Sequence, residues 1–140
     1  MDLRSFARAA AACMVFAAAS ASAASWRPVP GASDLDIDVA SFQQERTRVS
    51  AWLRWPGRSP LLVDVAAQVG PAGRLHRTAL RTEFDCARRT VRVLAAQGFD
   101  SGGTPVFMSS VPGPVRAVAG ADLSWAYEAA CEAARSAGRL

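Results

Sequence analysis

Lysine is absent from this 140-residue chain, histidine occurs once, at His76, and cysteine only three times. Each scarcity excludes something. With no lysine, all 16 basic residues are arginine, and arginine and alanine used this heavily reflect GC-rich coding rather than a nucleic-acid patch. Cys13 falls in a segment expected to be removed on export, and the remaining two cysteines with His76 fall short of the four ligands of a structural zinc site, so no metal and no cofactor is expected. A lone histidine acting as general base needs a nucleophile or an orienting partner. No G-x-S-x-G elbow is present, so no catalytic residue is assigned and the chain is read as non-enzymatic. No uncharged apolar run reaches the roughly 20 residues of a membrane-spanning helix, which leaves the mature chain without a predicted transmembrane segment.

Arg4 and Arg8 precede the uncharged run Ala9 to Ala19, and small residues follow at Ala21 and Ala23. This is the order of a secretory signal peptide, residues 1–23, with cleavage expected after Ala23. Cys13 lies inside the apolar run and is read as discarded on processing rather than lipidated. Residues 24–140 suit a single domain, which at this size buries roughly two-thirds of the surface its unfolded chain exposes. They carry 14 arginines against 11 carboxylates, +3, and an exported protein with so small an excess is not expected to meet nucleic acid. Export to the periplasm or surface of a Gram-negative cell places Cys86 and Cys131 in an oxidising compartment. An even pair there predicts one disulfide.

Alternation dominates until close to the C-terminus. Trp26 to Val29 reads as a Pro-punctuated edge strand. Leu35, Ile37 and Val39 then alternate with Asp34, Asp36 and Asp38, and the period of two marks a half-buried strand with an acidic solvent face. Thr47 to Trp55 repeats the pattern, with Val49, Ala51 and Leu53 opposite Arg48, Ser50, Trp52 and Arg54, and Pro56-Gly57 turns the chain. Leu61 to Val69 reads as a further strand. Leu75 to Asp85 and Arg88 to Ala96 form a hairpin, the second strand placing Val91, Val93 and Ala95 on one face. Pro105 to Ser109 is a last short strand, and Val111 to Gly120 an irregular crossover. From Asp122, apolar residues recur at Leu123, Tyr127, Ala130, Cys131 and Ala134, the spacing of an amphipathic helix capped by Asp122 or Ser124, with Cys131 facing the sheet. The fold class is therefore α+β, an antiparallel sheet of five or six strands with one C-terminal helix on a face and disulfide-tied to it.

Three clusters invite a functional reading. Asp34, Asp36, Asp38 and Glu45 match positions 1, 3, 5 and 12 of a calcium loop, but the sixth position, a glycine in such loops, is Val39, and the intervening apolar residues argue for a strand. The arginines Arg74, Arg77, Arg81, Arg88, Arg89 and Arg92 crowd around His76. Alternation sets Arg77 and Arg81 on the face of Glu83 and Asp85, where cross-strand ion pairs absorb charge. Arg77, Arg81 and Arg92 are the candidate binding residues for an acidic protein partner. Trp52, in phase with polar residues, is a candidate exposed aromatic.

Trp26-x-x-Val29, the strand Asp38-Val39-Ala40-Ser41-Phe42, the strand Ala51-Trp52-Leu53, Glu83-Phe84-Asp85-Cys86-Ala87 with its continuation to Leu94, Phe99-Asp100 and the terminal Ala129-Ala130-Cys131 together resemble the bacterial surface-adhesin protein E family over nearly the whole mature chain. The resemblance implies an antiparallel sheet with its terminal helix held by a Cys86–Cys131 disulfide. It further implies a non-enzymatic envelope protein that binds a protein partner, such as a host extracellular-matrix or serum protein. The crossover departs from the family, with Pro112-Gly113-Pro114 where a tryptophan is common. So does Ala121, where a serine would cap the helix.

Overall fold

The computed structural model describes residues 23–57, 59, 61 and 75–138. The expected signal peptide up to residue 22, Arg74 and most of the strand expected over Leu61 to Val69 lie outside them. The described residues form β1 (Trp26–Pro28), β2 (Asp36–Glu45), β3 (Arg48–Pro56), β4 (Arg77–Asp85), β5 (Thr90–Phe99), β6 (Pro105–Ser109), β7 (Arg116–Ala117) and α1 (Ala121–Ser136). One antiparallel sheet runs β1-β2-β3-β4-β5-β6, and β7 pairs with the far end of β5 beyond β6. Gly113 N–H donates to Val93 O at 2.8 Å between these two short strands. Residues 105–117 thus form one edge strand, broken at Pro112-Gly113-Pro114 because proline has no N–H to give a ladder.

Register places Val49, Ala51, Leu53 and Trp55 of β3 beside Phe84, Thr82, Leu80 and Thr78 of β4, and Val91 and Val93 of β5 beside Phe84 and Thr82. These residues form the inner face, where Leu53, Leu80, Phe84, Thr78 and Thr82 are fully buried. α1 covers it with Leu123, Ala126, Tyr127, Ala130, Cys131 and Ala134. Ala126, Ala130 and Ala134 follow at spacings of four on this stripe, and their small side chains let the helix lie close to the strands. The apolar helix phase expected from the sequence is the one observed. The cap is not: Gly120 is the N-cap, at φ 88°, with no side-chain cap hydrogen bond. Glycine takes that left-handed angle without a Cβ penalty, and Asp122 instead sits in the first turn, where a carboxylate meets the positive end of the helix dipole.

Cys86 and Cys131 are bonded, with Cα atoms 5.7 Å apart and a sequence separation of 45. The link ties the β4–β5 turn to the middle of the helix and is reinforced from three directions. Tyr127 OH donates to Cys86 O at 2.9 Å, its ring meets Phe84 edge-on with centroids 6.0 Å apart, and Arg89 lies 4.7 Å over that ring while pairing with Glu128 at 3.1 Å. The turn is shaped by Asp85, whose Oδ1 accepts from the N–H of Ala87 and Arg88 at 3.0 and 3.1 Å.

Of three register shifts in the sheet among the described residues, the one between β5 and β6 leaves Val106 as an extra residue, and the other two correct the expected strands. β2 carries a wide bulge: Asp38 pairs with Trp52, but the next pair is Gln43 with Ser50. Asp38 organises it, accepting from Ser25 N at 2.7 Å and Ala40 N at 3.0 Å. Ser41 Oγ donates to Asp38 O at 2.7 Å and accepts from Trp52 N at 2.9 Å, replacing ladder bonds that the bulge removes. Asp38 is 7% exposed, so the acidic solvent face expected from Asp34, Asp36 and Asp38 does not form. In β5 the register shifts between Arg81↔Ala95 and Thr82↔Val93, leaving Leu94 as the extra residue. The inner face therefore continues through Ala96 and Gly98, and Ala95 turns to the outer face, against the alternation read from Val91, Val93 and Ala95.

Replacing Cys131 with Ser is expected to cost about 2 to 4 kcal/mol, mainly through a less constrained unfolded chain, while the strand signal in circular dichroism persists. Loss of that signal at low temperature would show that the sheet itself depends on the link. Asp38→Ala leaves two backbone N–H groups without their charged acceptor, a loss of roughly 2 to 3 kcal/mol. Hydrogen exchange should locate the loosening in β1 and the bulge, not in β4 or β5.

Candidate functional site

The outer face of the sheet is built by the other phase of each strand. Across β2, β3, β4 and β5 it presents Asp36, Arg54, Ala79 and Gln97 in one row. The next row is Asp38, Trp52, Arg81 and Ala95, and Gln43, Ser50, Glu83 and Arg92 follow. Among the described residues no helix or strand layer lies over this face. It is polar yet ordered. Arg54 binds Asp36 with Nη2 at 2.6 Å and Nε at 3.2 Å to the same oxygen, and its guanidinium sits 4.4 Å over the Trp26 ring. Arg92 Nε pairs with Glu83 at 2.8 Å, a cross-strand pair of the kind the charge pattern predicts. Arg81 donates to Gln43 Oε1 and, at 3.2 Å, to Ser50 Oγ.

The three candidate arginines do share this face. Arg77 stands at one end, beside Pro56 and Phe99; Arg81 is central and Arg92 lies opposite Glu83. At about 3.3 Å per residue the row from Arg77 to the level of Arg92 runs roughly 20 Å, so the arginines mark a surface rather than converge on a pocket. Arg77 forms no ion pair among the described residues. It shares an open notch of about 310 Å³ with Asp34, Asp36, Arg54, Pro56 and His76. At the other end, Arg48, Glu83, Asp85, Arg88, Thr90 and Arg92 line a smaller one of about 190 Å³. Arg88 and Arg89 stand in the β4–β5 turn, Arg88 at the rim of this smaller notch and Arg89 on the helix side over Tyr127. Arg54, Trp26 and Arg48 join the face beyond the three candidates, and the alternation over Thr47 to Trp55, which sets Arg48, Trp52 and Arg54 on one side, is the signal that points to two of them.

His76 is exposed, and its main chain is bound on both sides, Gly57 N to His76 O at 2.7 Å and His76 N to Phe99 O at 2.8 Å. Its imidazole has no hydrogen-bond partner among the described residues. No group of three or more His, Cys, Asp and Glu among them is placed to hold a metal. The calcium-like spacing resolves physically: Asp36 is engaged by Arg54, Asp38 by the bulge, and Glu45 lies at the far end of β2. No helix among the described residues is long and apolar enough to cross a membrane.

No protein-family model matches the chain, and neither a curated protein nor a solved structure matches it.

Asp85 has a displaced titration. Desolvation pushes it up, but the N–H groups of Arg88 and Ala87, the Thr47 hydroxyl and the nearby Arg88 charge together hold it below the ordinary value. A depressed native pKa adds stability that is present above the unfolded value, about 3.9, and fades as pH falls through the native value. Asp85→Asn keeps an acceptor oxygen but cannot titrate. The stability gap between wild type and this variant, from urea unfolding, should be widest near neutrality and close on acidification. A gap that stays constant or widens in acid would contradict this role.

Proposed function

We propose that this is a non-enzymatic, exported protein of the cell envelope that binds a protein partner through the outer face of its sheet. The observation that carries the reading is that the inner face is committed to the helix, whereas the outer face offers Trp26 and Trp52 among the guanidinium groups of Arg54, Arg77, Arg81 and Arg92. Planar guanidinium groups make paired contacts with carboxylates, which favours an acidic surface on a host extracellular-matrix protein or another envelope protein. The disulfide and the N-terminal targeting pattern support export to the periplasm or the surface of a Gram-negative cell. The likeness to the surface-adhesin protein E family adds to this reading; the alternative, a periplasmic enzyme or enzyme accessory, would use the open groove of about 700 Å³ between β5, β7 and the start of α1, whose lining side chains, among the described residues, bring only Arg116 and Asp122 as charged groups and no histidine, cysteine or serine.

Capture from envelope and matrix fractions tests it. Binding should weaken as the screening length falls from about 10 Å at 0.1 M salt to about 3 Å at 1 M. Combined Arg77→Ser and Arg81→Ser substitution should lower recovery of whatever partner is captured. The stability cost should stay within about 1 kcal/mol, because only the Arg81 side chain makes hydrogen bonds. Binding indifferent to both salt and these substitutions would remove the outer face from consideration.

A further inference from the structure

The two edges of the sheet are treated differently. β1 is three residues long and carries Arg27 and Pro28, a charge and a missing donor, both of which discourage another strand from adding. The opposite edge carries one such guard, Pro105 at the first residue of β6, and neither charge nor proline from Val106 to Ser109. From Ser101 to Val115 the chain contains no charged residue. Of the five large hydrophobic side chains left exposed among the described residues, four fall here: Val106 (42% exposed), Met108 (67%), Val111 (62%) and Val115 (63%). Among the described residues no strand pairs with the free side of β6. Pro112 and Pro114 block ladder extension beyond Val111, so the pairing-competent stretch is Val106 to Val111.

We propose that β6 pairs antiparallel with β6 of a second copy of this chain, about a two-fold axis normal to the sheet, so that two sheets become one. The two-fold sets this stretch opposite itself. A charge anywhere on it would face a like charge, which is destabilising across strands, and none exists between Asp100 and Arg116. An axis at Phe107 brings Val106, the extra residue where β6 shifts register against β5, opposite Met108 of the second copy, removing from water the most exposed side chain of the edge. The absence of charge likewise leaves nothing on β6 to hold an acidic or basic partner. The pairing leaves both outer faces on the same side, so it is compatible with the binding reading above without depending on it.

Sedimentation of the purified, oxidised protein over a concentration series to about 1 mM, the weak end of specific association, should show a monomer–dimer equilibrium. The double variant Val106→Lys, Met108→Lys should remain monomeric with an unchanged circular dichroism spectrum, since both side chains are solvent-exposed. In the wild type, hydrogen exchange at Val106 to Val111 should slow as concentration rises; this readout stands even if the variant fails to fold. A protein monomeric throughout, or a dimer that the double variant leaves intact, overturns the proposal. So does protection of these amides that appears only when an envelope extract is added to a monomer, which would give the edge to another protein. A monomer that still binds through Arg77 and Arg81 would overturn this inference alone.

Discussion

The β4–β5 turn is where sheet and helix are made one body, and the rest of the fold depends on it. An antiparallel sheet can leave one face wet but must cover the other, and here a single 16-residue helix does so. A stripe of alanines buries little area per residue, so position has to be secured by other means. The turn supplies them at one place: the Cys86–Cys131 bond, the Tyr127 hydroxyl on Cys86 O, the Phe84–Tyr127 ring contact and Arg89 over Tyr127. Asp85 shapes the turn from which Cys86 and Arg89 reach out. Sequence neighbours in the stretch Glu83 to Leu94 thus carry strand, turn, crosslink and strand in succession.

Fixing the helix on one face decides what the other face can be. The outer surface needs no second layer because its charged groups largely satisfy one another along the strands: Arg54 with Asp36, Arg92 with Glu83, Arg81 with Gln43 and Ser50. Exposed pairs of this kind contribute little to stability, commonly under about 1 kcal/mol each. Their more important effect is order, since a guanidinium held by one partner and stacked on Trp26 has fewer rotamers left to freeze when a ligand arrives.

Most of this architecture was legible from period alone, and the failures have physical causes. Apolar alternation located β3 and β4, every residue expected on the helix stripe is buried there, with Ala126 added, and the cysteine pair followed from parity and compartment. Alternation could not reveal the bulges, because a bulge changes phase without changing composition. Asp38 looked like part of an acidic solvent face, yet its carboxylate substitutes for missing ladder partners; Ala95 looked inward until Leu94 shifted the count. The helix cap failed for a similar reason. Asp122 has the right chemistry one residue inside the helix, and the backbone angle at Gly120 set the boundary instead. The arginine face was predicted as a charge pattern, but which arginines are held and which stand open required the register.

The bulge and the edges also explain why the outer face is presented as it is. A bulge raises local twist, and the one at Asp38 lies where β1 joins β2, so β1 is carried across to set Trp26 over Arg54 and to cap that edge with Arg27 and Pro28. At the other side, the Pro112-Gly113-Pro114 interruption lets a single chain segment pair with both ends of β5 while holding the middle by the one Gly113–Val93 bond. One edge is thereby closed by chemistry and the other left open over a short, uncharged strand. Since the helix already occupies the inner face and the outer face stays open, extending the sheet sideways enlarges the protein without covering either. The uncharged edge along β6 is where the sequence has left that extension unopposed.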